Sequence, residues 1–152
     1  LHGFREPFKE PLSSTGGGKC ISGAENEVWS YGEEVYEICK KYMLLREKMR
    51  PYVKQLMMEA HEKGTPIMRP LFYDFPQDSK AWEIEDQYMF GPDLLVSPIL
   101  EAGMTERTLY LPEGSWRNIN DGTIFEGSRM VTVAAPIDEL PVFAKAGTRE
   151  EL

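Results

Sequence analysis

The sequence predicts an α+β protein in which a long kinked helix is followed by an antiparallel β-sandwich. Three observations carry that prediction. Apolar side chains recur at helical spacing before residue 64, and short runs rich in β-formers, separated by turn residues, fill the chain after it. Asn120-Asp121-Gly122 then places a hairpin signal between two of those runs.

The helix is read from Val35, Ile38, Tyr42, Leu45, Met49, Leu56 and Ala60, spaced by three, four or seven with Lys, Glu and Arg between them. Ser30 followed by Glu33 fits a capping box, which sets the expected start near Ser30. Pro51 has no N–H for the helical ladder and predicts a kink or a restart. Gly64 is placed to end the helix, so the segment is expected over about 31–63. Strands are expected in IMRPLFY (67–73), YMF and LLVSPIL (88–100), RTLYL (107–111), WRNI (116–119), TIF (123–125), RMVTV (129–133) and LPVFAKA (140–146). Pro76, Pro98, Pro112 and Pro141 fall at the edges of these runs, which suits short antiparallel strands packed as a sandwich.

Composition narrows the function. The chain has 152 residues, 41% hydrophobic and 28% charged, enough for one domain with a packed core. Acidic residues outnumber basic ones by 25 to 17, for a net charge of −8, and no Lys/Arg cluster could track a phosphate backbone, so nucleic acid is not an expected partner. No apolar run approaches the roughly 20 residues needed to span a bilayer, and no membrane partner is expected. Cys20 and Cys39 form neither a disulfide framework nor a zinc site. Leu1 follows neither an initiator Met nor a recognisable leader, and residues 1–29 read as one long loop, so the chain is expected to be a fragment.

The candidate reactive residues are sparse. Gly16-Gly17-Gly18-Lys19 lacks the first glycine and final hydroxyl of a phosphate loop, where Ser13 and Cys20 stand, and no strand leads into it. His61 sits near a helix C-terminus, where a solvated imidazole is the simplest reading. Asp74, Asp78, Asp86, Asp93, Asp121 and Asp138 lie in turn-like contexts and form no pair that stands out as acid and base. Trp29, Trp82 and Trp116 could stack on sugar rings, although core or edge anchoring is the commoner use of a Trp. The residues alone give a helix and a sandwich with no self-contained active site.

Several long stretches nevertheless resemble glycoside hydrolase family 31, the α-glucosidases and α-xylosidases. They are LHG at the start, VWSYGEEVYEICKKYMLLREKMRPYV (28–53), GTPIMRPLFYDFPQD (64–78), QYMFGPDLLVSPIL (87–100), LYLPEGSW (109–116) and APIDELPVFAKAG (135–147). The resemblance implies that residues 1–63 are the end of a catalytic (β/α)₈ barrel, a loop and its last helix, and that 64–152 are the β-sandwich that follows it. The loop before Ser30 would then lie on the barrel's active-site face. His2 matches the family's Arg-X-His-Gly motif and would be the one substrate-binding residue; the Arg would precede Leu1.

The implied reaction is retaining hydrolysis of terminal α-linked glucose or xylose by two Asp residues, one the nucleophile and one the acid and base. Both lie upstream in the family. The chain is therefore expected to hold no catalytic residue, metal or cofactor, and to be inactive alone, with oligosaccharide as the partner of the missing barrel. Cut from that barrel, the apolar helix stripe offers a face for self-association, and a sugar-binding sandwich using Trp116 or Trp82 is the alternative reading. Beyond Gly147 the charged run Arg149-Glu150-Glu151-Leu152 departs from the family's apolar strand, which puts a final strand in doubt.

Overall fold

The computed structural model describes residues 28–152. The chain divides into two compact units, the first running to Glu47 and the second from Lys48 to Leu152. In the first, a 3-10 turn at Val28–Tyr31 leads into helix α1 (Glu33–Lys48), which buries none of its residues. The helix does not begin at Ser30 as the capping-box spacing suggested. Ser30 lies inside the 3-10 turn, and the first helical bond is accepted by the carbonyl of Gly32, whose φ of 92° reverses the chain before Glu33.

The second unit opens with helix α2 (Arg50–Lys63), which restarts beside Pro51 because proline cannot supply the N–H that would continue the ladder. Gly64 ends it in the left-handed conformation and donates its N–H to the Ala60 carbonyl, as expected. Strand β1 is only Met68–Arg69, and Leu71–Asp74 forms a short helix, α3, instead of continuing the strand. Pro70 supplies the extended residue at that junction and cannot donate to a ladder.

The remaining strands are β2 (Tyr88–Phe90), β3 (Leu94–Val96), β4 (Glu106–Leu111), β5 (Ser115–Asn118), β6 (Ile124–Glu126), β7 (Arg129–Ala134) and β8 (Val142–Lys145). All pairings are antiparallel. Six strands form one sheet in the order β1-β2-β3-β8-β5-β6, and β4 pairs with β7 in a second. The β5–β6 hairpin falls at the expected place, but its connection is five residues, 119–123, and not two. Gly122 alone takes positive φ there, at 75°, donating its N–H to Asn118 O, while the Asp121 carboxylate accepts from Thr123 N.

Alternation along the strands explains the layering. Leu95 and Phe143, opposite each other in register, join Met89, Trp116, Leu109, Val131 and Val133 in the core between the two sheets. Their neighbours Leu94, Val96, Val142 and Ala144 point the other way and pack on Tyr52 and Leu56 of α2. The central strands are thus covered on both faces, which is why LLV and VFA are buried throughout. Gln87 fastens the smaller sheet, its amide donating to Tyr110 O at 2.8 Å and accepting from Tyr110 N at 2.7 Å.

The charged end adds no strand beyond β8, as its composition suggests. β8 is intact, and beyond it Arg149 lies 3.1 Å from Asp93 with its guanidinium 4.3 Å from the Tyr52 ring centre, while Leu152 joins the cluster around α2. Opposite charge and a cation–π contact do there what an apolar strand would do.

Candidate functional site

His2, the Gly16–Lys19 run and Cys20 lie outside the described residues. His61 is exposed at the end of α2, as a solvated imidazole should be. The candidate carboxylates are dispersed and occupied. Asp74 pairs with Arg69 at 2.7 Å, Asp86 with Arg107, and Asp93 with Arg149. Among the described residues no group of His, Cys, Asp and Glu is placed to hold a metal ion. No described helix is long and apolar enough to cross a membrane.

Trp116 is fully buried, its indole donating to Pro112 O at 2.9 Å and its ring 6.2 Å from that of Phe75. It is a core anchor, so its expected availability for sugar stacking does not hold. Trp82 is the opposite case. It is 58% exposed on the 3-10 turn Ser79–Trp82, stacked on Phe72 with centroids 4.5 Å apart and planes 12° from parallel.

Pro76, whose carbonyl accepts the Trp82 N–H, borders an open cleft of about 480 Å³ that is also lined by Asp74, Phe75, Gln77, Asp78, Tyr110 and Glu113. One Asp78 oxygen accepts the backbone N–H of Lys80, capping the turn that carries Trp82, and the other accepts the Tyr110 hydroxyl at 2.7 Å. Burial first, and then this bond to a carboxylate, push the Tyr110 hydroxyl up to about 12. Such an arrangement supplies hydrogen-bond acceptors in a fixed frame. With Asp74 and Asp78 both committed to structural partners, it does not form the acid and base pair of a hydrolase. Phe72, Tyr110 and Glu113 were not singled out from the sequence, because only the fold stacks Phe72 on Trp82 and brings Tyr110 to Asp78.

The described residues thus give a two-layer antiparallel unit with a helix against it and carboxylates engaged by structural partners. Its lineage is explicit: residues 64–148 match the glycosyl hydrolase family 31 C-terminal domain, and the chain belongs to that family. It is 37% identical over 128 residues to α-glucosidase 2 of Bacillus thermoamyloliquefaciens, covering 84% of this chain and 16% of that protein. It is likewise 37% identical over 122 residues to an α-xylosidase of Saccharolobus solfataricus, covering 80% and 17%. The crystal structure of an α-xylosidase from a soil metagenome, complexed with xylose, superposes with a TM-score of 0.92 at 49% identity, over 98% of this chain and 22% of that one. The chain thus spans between 16% and 22% of these three proteins.

Proposed function

We propose that this chain is the C-terminal part of a retaining α-glycosidase that releases terminal α-linked glucose or xylose from oligosaccharides. The match of residues 64–148 to the family's C-terminal domain carries the reading, and the similarity to both glucosidases and xylosidases supports the substrate class. On this reading residues 1–63 are the end of the barrel, with α1 and α2 as its last helix, and 64–152 are the β-sandwich. His2 donates a hydrogen bond in the subsite for the released sugar, and the two catalytic Asp residues, with carboxyls roughly 5–5.5 Å apart, belong to the rest of the enzyme. The 152-residue chain alone has no hydrolytic activity. The apolar stripe that begins at Val35 and runs through Ile38, Tyr42 and Leu45 on α1, none of them buried, is the face through which free copies associate.

The test is a chimera in which the corresponding segment of the soil-metagenome α-xylosidase is replaced by this chain, assayed on an aryl α-xyloside beside the chain alone. Turnover by the chimera and none by the chain is the expected result. A folded, inactive chimera, or turnover by the chain itself, would overturn the proposal.

A further inference from the structure

We propose that the open face of Trp82 and the adjoining Asp74–Asp78–Tyr110 cleft form a binding site for a neutral pyranose, built by the β-sandwich unit itself. Phe72 covers one face of the indole, and the Trp82 N–H donates to Pro76 O at 3.1 Å, so the ring is held on one side and along one edge. With Phe72 on one side, the side left for a ligand is the opposite face of a residue that is 58% exposed. A ring fixed before binding loses little conformational entropy when a ligand stacks on it.

The platform and the cleft share two residues, Pro76 and Asp78. Pro76, which anchors the indole, lines the cleft, and Asp78, which lies in it, caps the turn that presents Trp82. A pyranose has a flat C–H face suited to an aromatic ring and hydroxyl edges that donate to carboxylates. Each carboxylate oxygen accepts more than one hydrogen bond, so Asp78 keeps acceptor capacity beyond Tyr110 and Lys80, and Asp74 beyond Arg69. The lining holds no Lys or Arg, which disfavours an anionic ligand, and one open ring face is no cage for a quaternary ammonium. A volume of about 480 Å³ lies within the usual range of small-molecule sites.

The inference goes beyond the hydrolase reading and does not rest on it, because the experiment reads binding by this chain without catalysis. The chain is titrated with maltotriose and isomaltotriose by calorimetry and by NMR of the indole N–H resonances, with tetramethylammonium as a control. The expected result is saturable binding that shifts the Trp82 resonance and weakens about tenfold or more in Trp82→Ala. If Trp82→Ala fails to fold, the assigned shift in the unsubstituted chain decides alone. No saturation, saturation that leaves the Trp82 resonance in place, binding unchanged in a folded Trp82→Ala, or uptake of tetramethylammonium but neither sugar would overturn it.

Discussion

The hydroxyl of Tyr52 occupies the space that a Cβ on residue 91 would need, and Gly91 leaves that space open at a φ of 63°. The same hydroxyl donates to Phe90 O at 2.9 Å and accepts Asp93 N–H at 3.3 Å, so the turn between β2 and β3 is folded around the phenol of α2. Gly91→Ala combines an unfavourable backbone with overpacking and is expected to cost about 3 kcal/mol, read from urea unfolding. In a Tyr52→Phe background the added cost should be smaller. Strict additivity of the two changes would show that the steric relationship does not matter.

Two phenols should ionise late. Burial pushes the Tyr52 hydroxyl up to about 12, and burial with the Asp78 bond does the same for Tyr110. Because the folded protein favours the neutral form, this stability is present in full below the unfolded value near 10 and is lost as pH rises through about 12. Phenolate absorbance should show two tyrosines titrating near the upper end of that window. Tyr52→Phe and Tyr110→Phe should each remove one, and the midpoint of unfolding should fall with pH over the same interval.

Arg69 and Asp74 form an ion pair with side chains only 4% and 16% exposed. Removing the acid leaves a buried guanidinium without its partner, so Asp74→Ala should destabilise by about 3 kcal/mol, whereas Arg69→Met with Asp74→Ala should recover much of the loss. A double variant no better than the single one would argue against the desolvation account.

Trp116 and Trp82 should behave as opposites in stability. Trp116→Ala opens a cavity between the sheets and should cost about 4 kcal/mol, while Trp82→Ala should stay within about 1 kcal/mol in thermal unfolding.

Helix α2 belongs to the cooperative core of the second unit, since Tyr52 and Leu56 cover Leu94, Val96, Val142 and Ala144. A piece comprising 48–152 should unfold in one transition, whereas 64–152 should expose that apolar face and aggregate. Equal stability of the two pieces in urea would contradict the packing described.

Much of this was legible in advance where a residue acts locally. Pro51 and Gly64 mark the start and end of α2 through backbone chemistry alone, and the alternation in ERTLYL and RMVTV marks β4 and β7. Failures came where distant packing decides. Leu71–Asp74 reads as a strand by composition, yet the chain turns helical after Pro70, and LLV shows no period because both its faces are covered. Trp116 and Trp82 are the same residue type in similar turn-rich surroundings. Only tertiary contacts bury one and present the other. The cleft was invisible for the same reason, since Asp78 and Tyr110 meet across 32 positions of sequence.

The position of β8 between β3 and β5 has a consequence for biosynthesis. This strand leaves the ribosome after every other strand of the unit, yet it joins β1-β2-β3 to β5-β6. Until residue 145 has emerged, nothing links β3 to β5, and the edges of both strands lack their partner. The larger sheet can therefore close only once β8 is available, so its completion waits for the chain through residue 145.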